Sequence, residues 1–186
     1  GGNSLSDLIV FGKRAGEYAA QYARKRQAPQ VTEAAIQRAI DEALLPFERG
    51  DAGENPYMVQ ADLQDSMQAL VGIVRTESEM QEAVTRIQGF KDRAARAGVS
   101  GHREYHAGWH TALDLRNLLA VSEAIARSAI ERKESRGGHF REDYPDKVAE
   151  FATFNIRTQL ASDGSVEVTR VPLPAIPDYL KEVIEE

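Results

Sequence analysis

The sequence predicts a mainly α-helical protein, an up-and-down helical bundle with a small β-hairpin appendage near its C-terminal end. Three observations support this fold class. Apolar residues recur at three- and four-residue spacing along most of the chain. Proline, glycine and capping residues divide this pattern into separate helices. Near the C-terminal end, two β-prone segments flank a cluster of turn-forming residues, which is typical of a hairpin.

Two helices are predicted at the N-terminal end. The first runs from Leu5 to about Arg26, and either Asn3 or Ser4 can cap it. Its apolar face carries two glycines four residues apart, which suits close contact with another backbone. Pro29 interrupts the periodicity, and the second helix is predicted to lie between Pro29 and Pro46.

Two further helices follow a polar loop at residues 50–54. Asn55 and Pro56 predict the start of the third helix, because an N-cap residue followed by proline at the first helical position is a common helix start. This helix is expected to end near Gly72. The fourth helix begins at the capping-box sequence of residues 76–79 and is expected to end by Gly98.

The longest helix is predicted from Trp109 or Thr111 to about Lys133, because neither glycine nor proline interrupts its periodicity. Trp109, the only tryptophan, is expected to be a packing residue rather than a ligand platform. The β-prone segments that follow, 151–160 and 166–171, predict a hairpin. A proline-containing connector then leads to a short acidic helix predicted at the C-terminal end.

Composition excludes several classes of function. The 23 Lys and Arg against 29 Asp and Glu give a formal charge of −6, which argues against binding to nucleic acid. The absence of cysteine excludes disulfides and thiolate metal sites. The longest apolar run, Met67–Val74, is far shorter than the roughly 20 residues of a membrane helix, so no direct insertion is expected. The N-terminal residues carry neither an initiator Met nor a signal peptide, which suggests a segment of a longer protein.

Three histidines, His102, His106 and His110, follow one another at four-residue spacing, which on a continuous helix would place them on one face. Gly101 and Gly108 lie within the same stretch and argue against a continuous helix. No metal site is therefore predicted.

Two other short sequence segments indicate a function only weakly when each is considered alone. Residues 1–5, GGNSL, lead into a helix whose free N–H groups and positive dipole end could face an anion or an electron-rich carbonyl, although a capped helix start needs no ligand. Arg136, His139 and Arg141 lie in a mixed-charge string around paired glycines, which is typical of a helix end running into a turn. Such cations could also clamp a carboxylate or pair with the acidic groups of a partner.

Taken together, the two strings resemble one enzyme family. Residues 1–16, GGNSLSDLIVFGKRAG, resemble the end of the flavin domain of succinate dehydrogenase and fumarate reductase flavoproteins. Residues 134–145, ESRGGHFREDYP, resemble the C-terminal signature of that family, and the two strings occur in the family's order. Residues 75–77 and 114–119, which lie between them, also resemble family segments.

The resemblance implies three parts. Residues 1–50 would be the end of the FAD-binding domain. Residues 51–136 would form a three-helix bundle similar to a spectrin repeat. Residues 137–186 would be a C-terminal appendage with the hairpin and the short helix.

The resemblance also implies that Asn3, Ser4 and Leu5 lie beside the isoalloxazine ring of FAD, with the helix N-terminus directed at N1 and the C2 carbonyl. Reduced flavin carries negative charge there, which fixed N–H dipoles would stabilise. The dinucleotide-binding loop and the substrate-binding side chains of the family precede this segment. No catalytic residue is therefore assigned, and the chain alone is expected to bind no FAD and to be inactive.

For the full-length protein, the resemblance implies interconversion of succinate and fumarate, with electron exchange with an iron–sulfur subunit and quinone. Arg136, His139 and Arg141 are predicted to stabilise the turn after the long helix and to help dock the iron–sulfur subunit. A bacterial parent would be cytoplasmic, held at the inner face of the membrane by partner subunits. Two alternatives stay open: L-aspartate oxidase, which shares the early string and ESRG, and an independent helical interaction module.

Overall fold

The computed structural model describes the backbone of residues 4–185 and the side chains up to residue 181. Its described helices are α1 Ser4–Arg24, α2 Glu33–Arg49, α3 Pro56–Leu70, α4 Glu77–Ala94, α5 Ala107–Glu131 and α6 Asp178–Glu185. Its described strands are β1 Val74–Arg75, β2 Phe140–Arg141, β3 Phe154–Leu160 and β4 Val166–Pro172. The predicted fold class, mainly α with a β-hairpin near the C-terminal end, is confirmed.

The chain forms two compact units that divide after Glu42. The first contains α1 and the start of α2, where Thr32 Oγ1 accepts a hydrogen bond from the N–H of Ala35 (3.2 Å). The second, from Ala43 onward, contains α3 to α5 and the hairpin together. The family-based division at residues 50 and 136 stays a prediction. None of the described helices is long and apolar enough to cross a lipid bilayer.

The core of the second unit lies between α3, α4 and α5. Each of these helices contributes apolar residues at three-, four- or seven-residue spacing, the pattern that directs one helix face inward. The buried residues from the three helices are Val59, Leu63, Met80, Ala83, Ile87, Leu115, Leu119, Ala126 and Ala129. The predicted bundle therefore has one continuous apolar interior.

A buried carboxylate links α4 to α5 inside this bundle. Glu123 is 1% exposed and accepts hydrogen bonds from Lys91, from Arg127 Nε (2.7 Å) and from Gln88 Nε2 (3.0 Å). Burial raises the pKa of Glu123, but the hydrogen bonds and charges of Lys91 and Arg127 outweigh burial and leave the pKa below its ordinary value. The buried charge is thus compensated within the chain.

Capping residues begin α3 and α4 where the sequence predicts. Asn55 Oδ1 accepts from the N–H of Tyr57 (2.9 Å), and Pro56 occupies the first helical position. Thr76 Oγ1 accepts from the N–H of Glu79 (3.4 Å) and donates to its carboxylate (2.7 Å). Local chemistry alone accounts for both starts.

Two helix boundaries differ from the prediction. α2 continues through Pro46 to Arg49, because a proline in the last turn costs a single helical hydrogen bond while its carbonyl still accepts from the N–H of Val99 (2.9 Å). α5 begins at Ala107 rather than at Trp109 or Thr111, because the His106 side chain caps it by accepting from the N–H of Trp109 (3.0 Å).

The first predicted strand begins later than expected. β3 starts at Phe154, and Phe151 lies in a 3₁₀ turn, Ala149–Ala152. The rings of Phe151 and Phe154, both buried, lie 5.2 Å apart across the junction of this turn with β3. A short parallel pair, β1 with β2, is also present and has no sequence signal of its own.

Candidate functional site

The first candidate site is the start of α1. Ser4 and Leu5 are its first two residues, and the side chain of Leu5 is 72% exposed. The first N–H groups of a helix have no partner within the helix, so they are available to an electron-rich atom. Asn3 lies outside the described residues. The roles predicted for Asn3, Ser4 and Leu5 stay predictions.

The second candidate site is the charged loop, which we define as residues 134–143. It follows α5 and begins with Glu134, which is fully buried. The Glu134 carboxylate accepts from Arg132 Nη1 (2.7 Å), from Arg136 Nε (2.8 Å) and Nη2 (3.0 Å), and from the N–H of Val148 (2.8 Å). The hydrogen bonds from Arg136 first, and then from Val148 and Arg132, lower the pKa of Glu134 from 4.5 to about 2 despite its burial.

Arg141 forms the other half of the charged loop and is fully buried. Its Nη1 donates to the carbonyls of Ala129 (2.9 Å) and Ile130 (3.3 Å) in the last turn of α5. Its Nε and Nη2 each donate to Asp143 (2.7 Å), whose Oδ2 also accepts from the N–H of Glu77 (2.8 Å), the first residue of α4. The loop thereby joins the end of α5 to the start of α4.

The path of the charged loop follows from its glycines and one serine. Arg136 and His139 exchange two backbone hydrogen bonds (2.8 and 3.0 Å) around a tight turn in which Gly137 has φ +60°, a conformation that favours glycine. Ser135 Oγ accepts from the N–H of Arg141 (2.9 Å) and donates to the carbonyl of Tyr144 (2.9 Å). These bonds hold Arg141 directed into the protein.

His139 is held in one tautomer. Its Nδ1 accepts from Arg75 Nη1 (3.0 Å), so Nε2 carries the proton and donates to the carbonyl of Arg132 (3.0 Å). Burial lowers the pKa of His139, and the nearby charges of Arg75, Arg141 and Arg132 lower it further. A neutral ring is the form that this hydrogen-bonding pattern requires.

The structure brings Arg136, His139 and Arg141 together in one loop. Turn stabilisation by these three residues and docking of a partner both stay predictions. Sequence reasoning missed the acids that pair with them, Glu134 and Asp143. The available signal was the spacing, because in each case the acid lies two residues from its arginine, a separation that brings side chains together in a turn but not in a helix.

The three histidines do not share a helix. His106 is the N-cap of α5, His102 precedes it, and His110 lies beside the Trp109 ring (5.7 Å). Both nitrogens of His106 have partners, since Nδ1 accepts from Trp109 N–H and Nε2 donates to the carbonyl of Ser100 (3.0 Å). In the described part of the chain, no three His, Asp or Glu side chains are arranged to hold a metal ion.

Acid should weaken the charged loop. The folded-state pKa values of Glu134 and Asp143, both about 2, lie below their ordinary values of 4.5 and 3.8. Their stabilisation is therefore present above about pH 4.5 and is lost as the pH falls toward 2. We expect the free energy of unfolding of the wild type to fall through this window, and that of Glu134→Gln, lower at pH 7, to fall less. Urea titrations at several pH values test this, and parallel curves for the two proteins would contradict it.

Comparison with known proteins identifies close sequence relatives. Residues 60–177 match the sequence model described as the fumarate reductase flavoprotein C-terminal domain. A fumarate reductase flavoprotein subunit from Mycobacterium tuberculosis is 33% identical over 180 residues, which covers 93% of this chain and 31% of that protein. The chain therefore spans about a third of the length of this relative.

Solved structures have the same fold. In Mycobacterium smegmatis Sdh1 in complex with UQ1, the matching chain is 46% identical with a TM-score of 0.87, over 98% of this chain and 31% of that one. Adenylylsulfate reductase from Archaeoglobus fulgidus is 20% identical with a TM-score of 0.74, over 87% of this chain and 28% of that one. At this level of identity, the second likeness concerns the fold alone.

Proposed function

Because this chain belongs to the family of succinate dehydrogenase and fumarate reductase flavoproteins, matching their C-terminal portion, we propose that it is the C-terminal part of the flavoprotein subunit of such an enzyme. The observation that carries this proposal is the match of residues 60–177 to the family model. That range contains most of the bundle, the charged loop and the hairpin. The full-length enzyme would interconvert succinate and fumarate and exchange electrons with an iron–sulfur subunit and quinone.

The first turn of α1 fits the cofactor that this proposal requires. FAD, when bound, would supply the hydride and electron chemistry. The N–H groups at Ser4 and Leu5 would face the N1 and C2 carbonyl side of the ring, where fixed dipoles stabilise negative charge without reorganising. The exposed start of a 21-residue helix supports this assignment. The first turn of α1 would form only one side of the FAD site, which is too little to bind FAD. We therefore expect the purified chain to show no flavin absorbance.

The charged loop would act by positioning. Its ion pairs, each with one fully buried partner, hold the start of α4 and the end of α5 in one arrangement, which would give any docked subunit a rigid surface. Arg136, whose side chain is 38% exposed, could contact the iron–sulfur subunit directly, whereas the buried Arg141 would act through the shape of the loop. A bacterial enzyme of this kind would be peripheral, on the cytoplasmic face of the membrane.

An antibody against this chain tests the proposal in cells of the source organism. Immunodepletion from solubilised membranes should remove most of the succinate-dependent dye reduction, while pre-immune serum should leave it unchanged. If L-aspartate-dependent peroxide formation is depleted instead, the parent is an L-aspartate oxidase. If neither activity changes, the assignment to a flavoenzyme is wrong. The purified chain is the negative control and should show no flavin absorbance and no dye reduction.

A further inference from the structure

An open groove of about 940 Å³ runs between α5 and β3. Val121 and Ile125 line it on the α5 side. The other side is formed by four consecutive residues of β3, 155–158, but by a single residue of β4. The groove therefore follows the outer edge of β3 rather than the face of the hairpin.

The register of the hairpin shows which backbone groups this edge offers. The N–H of Leu173 bonds to the carbonyl of Thr153 (2.9 Å), and the N–H of Ala161 bonds to that of Ser165 (2.9 Å), so odd-numbered residues of β3 pair with β4. The N–H and C=O groups of Ile156 and Thr158 consequently point away from β4, toward the groove. A sheet edge of this kind is a template for another strand.

The groove is also positively charged. Arg75, Arg132 and Arg157 line it, and no acidic residue does so among the side chains that the structure describes. Arg132 pairs with Glu134 (2.7 Å), which it shares with Arg136, but within the described residues Arg75 and Arg157 form no ion pair. An anionic occupant would supply the missing counter-charge.

We propose that this groove binds an extended, acidic segment of a partner protein, which adds to β3 as a third strand and directs its carboxylates at Arg75 and Arg157. Main-chain bonds to Ile156 and Thr158 would give affinity, and the arginines would give selectivity for acidic segments. The site goes beyond the proposed enzymatic function, and the chain itself is sufficient to test it.

A second copy of the chain and the chain's own C-terminal helix fit this groove less well. A second copy pairing antiparallel about the centre of β3 would place two Arg157 side chains opposite each other, and like charges repel there. The acidic C-terminal helix of the same chain is connected through β4, at the other edge of the hairpin. Pro174 and Pro177 in its connector lack the N–H groups that a strand needs.

The probe is an N-terminally labelled eight-residue peptide that alternates valine and threonine and carries two central glutamates. Fluorescence anisotropy with the full chain should give saturable binding with a Kd on the order of 100 µM, weakening as salt is raised. Arg157→Glu should weaken binding at least about tenfold. The same charge change in Lys147→Glu, an exposed position that does not line the groove, should change binding less than about twofold.

Thr158→Pro tests the strand addition. This variant removes an N–H that β4 does not use, so the hairpin should persist while peptide binding weakens about tenfold. The control Thr158→Val keeps the N–H and should bind the peptide like the wild type. If Thr158→Pro unfolds the hairpin, the effect of Arg157→Glu on peptide binding decides whether the groove is the binding site. The proposal fails if binding is absent up to about 1 mM peptide. It fails equally if Arg157→Glu binds the peptide as the wild type does. It also fails if the occupant is a second copy, seen as dimerisation through this edge, or the chain's own C-terminal helix, seen as peptide binding that appears only when residues 178–186 are deleted.

Discussion

Replacing Arg141 by methionine is expected to lower the free energy of unfolding by about 2–3 kcal/mol, because it removes a fully buried cation together with its hydrogen bonds to two helix carbonyls and to Asp143, whose own side chain is 29% exposed. Arg141 is fully buried, and its loss would leave the carbonyl of Ala129 without its 2.9 Å hydrogen bond and Asp143 without two of 2.7 Å. Methionine fills similar space, so the effect measures the lost charge and hydrogen bonds rather than a cavity. Because Asp143 also binds the N–H of Glu77, the damage should reach α4 and not only the hairpin.

Urea unfolding followed by circular dichroism at the helix band measures this loss. Arg86→Met is the matched control, since Arg86 pairs with Glu82 (2.6 Å) one turn away on the surface of α4, is 49% exposed and has a further, long hydrogen bond to Ser66 Oγ (3.5 Å). Such exposed pairs contribute about 0.3–0.5 kcal/mol, so the control should remain close to wild type. If Arg141→Met unfolds at the same urea concentration as the control, the charged loop does not stabilise the bundle. If the hairpin alone is lost while the helical transition is unchanged, the loop serves the appendage only.

Local chemistry explains which parts of the fold were predictable. The starts of α3 and α4 follow from Asn55, Pro56 and Thr76, whose partners lie two or three residues away. The bundle follows from helical periodicity, because the apolar spacing of each helix can be read from its own sequence without knowing which helix it packs against. Where a boundary depends on a side chain with an unusual role, as with the His106 cap, propensity rules placed it two or more residues late.

Contacts distant in sequence explain what could not be predicted. Asp143 meets Glu77 across 66 residues, and β1 meets β2 at a similar separation, so no local pattern signals either. The charged loop resembles a family signature, but its composition around paired glycines indicates only a turn and does not signal that Glu134 and Arg141 are fully buried. The start of α1 at Ser4 was predictable from helical periodicity, while the cofactor contact of Asn3, Ser4 and Leu5 stays a prediction.

The second large effect is expected at Gly98, where two backbones cross. The N–H of Glu54 bonds to the carbonyl of Arg96 (2.9 Å), and the N–H of Gly98 bonds back to the carbonyl of Glu54 (2.9 Å). A Cβ added at Gly98 would lie 2.8 Å from the Gly53 Cα, and nearer still to the carbonyl oxygen of Gly50. Neither neighbour is a flexible side chain, so the backbone itself would have to move.

Gly98→Ala should therefore destabilise the chain by about 3 kcal/mol, the upper end of the usual cost of overpacking. Gly89→Ala is the matched control, because Gly89 lies inside α4, exposed, with no atom within 4 Å of an added Cβ. There alanine should stabilise by up to about 1 kcal/mol through its higher helix propensity. The same substitution should thus shift the urea midpoint in opposite directions at positions nine residues apart. A Gly98→Ala protein as stable as the wild type would mean that the segments before α3 and after α4 are not held together as the structure shows.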